Sequence, residues 1–121
     1  MDQTFAKEYT VTADLTAEAM GSGGIPVLAT PAMVAMVENA CYGELQKELK
    51  AEETSVGGFL SIEHLAPSPV GATVTVRAAL YEHAGTKVVF SFTVYEGEKL
   101  VGKGNHERFI VQKDRFLSKL S

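Results

Sequence analysis

TPAMVAMVENACYGELQKELK, residues 30 to 50, is the stretch on which the fold turns. Thr30 is a good N-cap, and Pro31 suits the first helical position, where a missing N–H costs nothing. Met33, Val34, Met36, Val37, Ala40 and Cys41 cover most of the circumference of the first turns. A helix apolar nearly all round is a buried helix. Its second half, Glu44 to Lys50, is charged and is expected to emerge into water.

On either side of this helix the period changes from 3.6 to 2. Upstream, TFAKEYTVTADL (4 to 15) puts Phe5, Tyr9, Val11, Ala13 and Leu15 on one parity and predicts a first strand, followed by a GSGGIP loop (21 to 26). Downstream, Val56 to Leu65 predicts a strand stopped by APSP. TVTVRAALYE and TKVVFSFTVYE follow, joined by HAGT, with Val74, Val76, Ala78 and Leu80 sharing one parity and Val88, Phe90, Phe92 and Val94 another. Such alternation across a Gly-containing turn predicts a hairpin with one buried face. A last strand runs from about Leu100 to Val111 and carries Gly102 and Gly104 on one face, where glycine lets another backbone or a helix press close. One long apolar helix and five strands predict an α+β fold, an antiparallel sheet curled around the helix.

The chain has 121 residues, 45% of them hydrophobic and 21% charged, which predicts a single domain over 1–121 with a real core. A domain this small gains from burying surface against a partner subunit. The net charge of −4 argues against a nucleic-acid binder. Cys41 is the lone cysteine, so neither a disulfide nor a cysteine metal site is expected, and a reducing, cytoplasmic setting follows. MDQTFAKEYT has no basic and apolar leader pattern, and no run reaches the roughly 20 apolar residues of a membrane span. No metal-ligand spacing, P-loop or dinucleotide fingerprint is present, so no metal and no cofactor are expected.

Glu38 lies between Val34, Cys41 and Leu45 on the helix surface, a carboxylate on an apolar arc. It is either a structural acid bonded to backbone or a reacting group. His64, in IEHLAP, shares parity with Leu60 and Ile62 and should face the helix with them. It reads either as a satisfied core histidine or, with an acid opposite, as half of a proton-transfer pair. Thr30 is explained by capping alone, although free N–H groups at a helix start also hold a carbonyl oxygen. If residues 30 to 38 are all helical, Thr30 and Glu38 stand roughly 12 Å apart along the axis. They then meet one substrate only if Thr30 folds back off the helix or if two subunits share the site. Gly57, in GGF, brings backbone close to a ligand or makes a plain bulge, and Phe59 closes the same run. Arg108, in HER, holds an anion or is a solvated strand charge; His83 and His106 read as surface residues.

The runs VLATPAMVAMVENAC, GGFLSIEHLAPSPVGATVTV and VGKGNHERFIV together resemble the hotdog-fold thioesterases related to fluoroacetyl-CoA thioesterase, over roughly residues 5 to 113. The resemblance implies a homodimer that hydrolyses acyl-CoA thioesters, with a catalytic set falling on Thr30, Glu38 and His64 and substrate contacts on Gly57, Phe59 and Arg108. A non-catalytic acyl-binding module and an acyl-thioester hydratase are the rival readings of the same fold. One departure is plain. The fluoroacetyl-specific enzyme carries a longer, phenylalanine-bearing lid before its helix, whereas TAEAMGSGGIPVLAT (16 to 30) has no aromatic, so the resemblance implies acyl thioester cleavage in general and leaves fluoroacetyl selectivity open.

Overall fold

The computed structural model describes residues 4 to 120, so the first three residues of the expected domain and its last lie outside the described range. The elements are β1 (Thr4–Thr10), a 3-10 turn at Ala13–Leu15, α1 (Ala17–Met20), α2 (Thr30–Gln46), β2 (Glu53–His64), β3 (Thr73–Ala84), β4 (Lys87–Glu96), β5 (Lys99–Gln112) and α3 (Lys113–Ser118). The five strands form one antiparallel sheet in the order β1-β3-β4-β5-β2. This is the expected α+β arrangement, and α2 lies in the concave face of the sheet.

The expected first strand is too long. β1 stops at Thr10, and Ala13–Leu15 turns instead. The pairing with β3 ends at Thr10↔Thr73, and beyond it the Val11 N–H and C=O bond the Ala72–Gly71 turn, so the chain has no further strand to follow.

Strand parity decides what faces the helix. Phe5 pairs with Ala78, Ala78 with Phe92, Phe92 with Gly104 and Gly104 with Ile62, a single row across the concave face. Val37 and Cys41 of α2 and Val74, Val76, Phe90 and Val94 of the sheet are fully buried in the core between the two layers. The two strand glycines do create room there. A Cβ on Gly102 would lie 2.6 Å from the Met33 sulfur, and one on Gly104 would overlap the Ser61 carbonyl.

The helix is not apolar to the outside on every side. Ala32, Met33, Met36, Val37, Ala40, Cys41 and Leu45 are buried, while Pro31, Ala35, Asn39 and Tyr42 form an exposed stripe at helical spacing. The sheet wraps only one side of the helix. Of the residues read as covering the circumference, Met33, Met36, Val37, Ala40 and Cys41 are buried and Val34 is half-buried, so they mark one broad face and its edge.

A bulge shapes β2. Its register against β5 shifts between Gly57 and Phe59, leaving Gly58 as the extra residue. One inserted residue exchanges the faces of a strand. Ser55 and Gly57 therefore share the concave face with Leu60, Ile62 and His64, although their numbers differ in parity.

Candidate active site

Thr30 is the first residue of α2, and Ala29 takes the N-cap position without a side-chain cap bond. The expected capping role is thus replaced. The Thr30 hydroxyl lies 2.7 Å from Nδ1 of His64, a residue 34 positions away at the end of β2. Strand parity places His64 on the helix side, as expected, and the end of β2 brings it level with the start of α2. No hydrogen bond reaches the buried Nε2 of His64. Burial lowers the pKa of this imidazole from its ordinary value, and the Ala66 backbone opposes the shift in part. The ring is therefore neutral near pH 7. With the proton on Nδ1, His64 donates to Thr30 and leaves the threonine O–H free for a substrate oxygen. With the proton on Nε2, Nδ1 accepts from Thr30 and makes its oxygen more nucleophilic.

Beside this pair is a cavity of about 370 Å³ whose apolar walls include Ile25, Val27, Leu28, Pro31 and Leu65. Among the described residues, no phenylalanine, tyrosine or tryptophan lines it.

Glu38 stands elsewhere. Because Thr30 is helical, the eight residue steps from it to Glu38 correspond to roughly 12 Å along the axis, and folding back is excluded. The carboxylate is not buried as expected, since its side chain is 44% exposed. Its Oε2 lies 3.8 Å from Nη1 of Arg108. It also lies 2.7 Å from where a Cβ of Gly57 would be, so only glycine at that position leaves the carboxylate its space. Gly57 pairs with Arg108 across β2 and β5, which explains why these three residues meet.

Arg108 and His106 correct the surface readings. Their residues are 5% and 1% exposed. Arg108 donates from Nε to Ser55 Oγ (2.8 Å) and from Nη2 to the Ser55 carbonyl (3.0 Å). Its Nη1 is 3.1 Å from His106 Nε2. His106 Nδ1 is 2.8 Å from the Phe59 carbonyl. A guanidinium has no acceptor and a carbonyl has no donor, so His106 carries its proton on Nδ1 and accepts at Nε2. Burial lowers the His106 pKa, the Phe59 carbonyl opposes this, and the Arg108 charge lowers it further. The Phe59 side chain itself is 53% exposed, so within one chain only its backbone joins the site. Tyr42 places its ring centre 5.7 Å from the Arg108 guanidinium carbon. Cys41, underneath, is no nucleophile, because burial pushes its thiol up to about 12.

One chain therefore holds two groups of residues. Thr30 and His64 meet at the start of α2; Glu38, Gly57 and Arg108 meet two turns further on. His106 and Ser55 belong to the second group; the sequence reading put His106 on the surface and did not single out Ser55. The signal for His106 was its shared parity with Gly104 and Arg108, which its polar sequence neighbours Asn105 and Glu107 obscured. Among the described residues no group of three or more His, Cys, Asp or Glu side chains is placed to hold a metal, and no helix is long and apolar enough to cross a membrane.

Comparison with known proteins places the chain. The family model described as fluoroacetyl-CoA-specific thioesterase matches residues 11–114. Fluoroacetyl-CoA thioesterase of Streptantibioticus cattleyicolor is 33% identical over 94 residues, which are 78% of this chain and 68% of that protein. An alanine mutant of the fluoroacetyl-CoA-specific thioesterase FlK, solved in complex with fluoroacetate and CoA, superposes with a TM-score of 0.90 at 27% identity, covering 96% of this chain and 98% of that one. A hot-dog-like protein from Thermanaerovibrio acidaminovorans shares the fold, with a TM-score of 0.89 at 21% identity over 98% of this chain and 88% of its own. The chain accordingly belongs to the fluoroacetyl-CoA-specific thioesterase family and has the hotdog fold.

Proposed function

We propose that the protein hydrolyses acyl-CoA thioesters to the free acid and CoA, at a site where Thr30 and His64 of one copy face Glu38 of a second. The 2.7 Å contact between Thr30 and His64 carries this reading. It joins a hydroxyl to a neutral imidazole beside an apolar cavity, the arrangement an acyl carbonyl requires. The 12 Å of helix between Thr30 and Glu38 makes a homodimer part of the same proposal.

In this mechanism Glu38 takes a proton from water, and the water oxygen bonds to the carbonyl carbon. The Thr30 O–H, oriented by Nδ1–H of His64, donates to the carbonyl oxygen as negative charge gathers there. The Gly57 N–H, beside Glu38 in the second copy, assists. The C–S bond then breaks, and the departing CoA thiolate takes the proton held by Glu38. Arg108 steadies Glu38. Three of its donors are spent on Ser55 and His106, which suits that role better than capture of a CoA phosphate. Phe59, exposed on one chain, is expected to contact the substrate in the assembled site.

A thiol-release assay over acyl-CoA substrates of increasing length tests the proposal. Turnover is expected, with a loss of about 10²-fold or more in Glu38→Ala. Wild-type turnover no better than that of the variant would end it. Saturable binding without thiol release would indicate a binding module, and an absorbance change without thiol a hydratase.

A further inference from the structure

His106 and Ser55 take no part in the chemistry above, yet both are almost fully buried and both are spent on one partner. Ser55 accepts two of the five N–H groups of Arg108, one at its hydroxyl and one at its carbonyl. His106 accepts a third and is itself fixed by the Phe59 carbonyl. The guanidinium is thus held along two edges by β2 and β5. Its Nη1 stops 3.8 Å from Glu38 Oε2, longer than a charge-assisted hydrogen bond of about 2.8 Å.

An unrestrained arginine beside a half-exposed carboxylate closes onto it as a two-pronged pair. Such a pair would occupy one lone-pair site on each oxygen and lower the basicity that Glu38 needs toward water or the carbonyl carbon. We propose that His106 and Ser55 are positioning residues that hold Arg108 short of direct hydrogen bonding to Glu38, so that its charge supports the carboxylate while the oxygens stay available. The inference rests on the role given to Glu38 above. His106 serves it only as the Nδ1–H tautomer of the neutral ring, since an imidazolium has no acceptor for Nη1. The ionisable groups around the carboxylate are Arg108 and His106 from β5 and Cys41 and Tyr42 from α2.

The test compares Ser55→Ala, Ser55→Thr, His106→Asn and Glu38→Ala with the wild type on one acyl-CoA substrate, recording kcat, KM and the thermal midpoint. Ser55→Ala and His106→Asn are expected to lower kcat by about 10-fold or more with KM within about 3-fold, and Ser55→Thr, which keeps the hydroxyl, to recover most of the loss. If His106→Asn does not fold, the two Ser55 variants decide. Ser55→Ala lowering the thermal midpoint with kcat unchanged, or raising KM alone, overturns the positioning role while Glu38→Ala remains inactive. Wild-type turnover by Glu38→Ala overturns the functional reading and this inference together.

Discussion

The Thr30 hydroxyl and the His64 imidazole, 34 residues apart in sequence, approach to 2.7 Å where the end of β2 meets the start of α2. Thr30 is the first helical residue and Ala29 holds the cap position, so the hydroxyl is not spent on the helix start and is available to the histidine. Thr30→Ser should keep most of the activity, and Thr30→Val, close in shape but without the hydroxyl, should lose about 10²-fold in kcat. Equal kcat values for the two variants, measured by thiol release, would remove Thr30 from the mechanism.

Buried His106 and half-buried His64 both have pKa values below the ordinary one, chiefly through burial. The unfolded chain therefore binds protons at these two sites at a higher pH than the folded chain does. Stability they confer is present above the unfolded pKa of about 6.5 and is lost as pH falls from there through the folded values. The thermal midpoint should drop on acidification below about pH 6.5, and His64→Gln and His106→Gln should each flatten that drop. A midpoint rising between pH 7 and pH 5.5 would contradict the assignment of neutral rings.

Gly57 and Gly104 make a pair of opposite predictions. A Cβ on Gly57 would meet Glu38 Oε2 at 2.7 Å, His106 Cε1 at 3.3 Å and Arg108 Nη1 at 3.5 Å. The nearest of these is the end of a flexible, half-exposed side chain, which can give way. Gly57→Ala should therefore fold with a near-native midpoint while kcat falls by about 10²-fold, the scale of a 1 Å misplacement of a reacting group. A Cβ on Gly104 would instead overlap the Ser61 carbonyl, and backbone within a paired strand cannot move aside. Gly104→Ala should cost about 2 kcal/mol or more in denaturant unfolding. A stable Gly104→Ala or an unfolded Gly57→Ala would contradict this reading of where the sheet has slack.

The sequence made the architecture legible because its signals are local. Helical spacing located α2 and set Glu38 on its surface, and period 2 put Leu60, Ile62 and His64 on one face. What stayed hidden is set by pairing between distant strands. Parity alone sends Gly57 to the outer face, and only the bulge at Gly58, visible in the β2–β5 register, returns it to Glu38. His106 sits between Asn105 and Glu107, which lie on the solvated face, so its neighbours in sequence are not its neighbours in space. Its burial depends on Arg108, Ser55 and the Phe59 carbonyl, three groups that converge only once β2 and β5 are joined. The capping of α2 was missed by one position, because the helix takes Ala29 as its cap and Thr30 as its first residue, and no local pattern shows that the Thr30 hydroxyl meets a histidine 34 residues downstream.

The separation of Thr30 from Glu38 gives the sharpest test of assembly. Each site of the proposed homodimer takes Thr30 and His64 from one copy and Glu38 from the other. Thr30→Val and Glu38→Ala are then each inactive alone. A mixed dimer of the two has one site with both defects and one with none, because the intact Thr30 comes from the Glu38→Ala chain and the intact Glu38 from the Thr30→Val chain. Random exchange after mixing equal amounts makes about half the dimers mixed, so about a quarter of wild-type activity should return, and a twofold axis permits no more. A site contained within one chain regains nothing on mixing, whatever the exchange. Subunit exchange followed by a tag on one variant, with no thiol release above the unmixed controls, would confine the chemistry to a single chain and leave Glu38 without a substrate in common with Thr30.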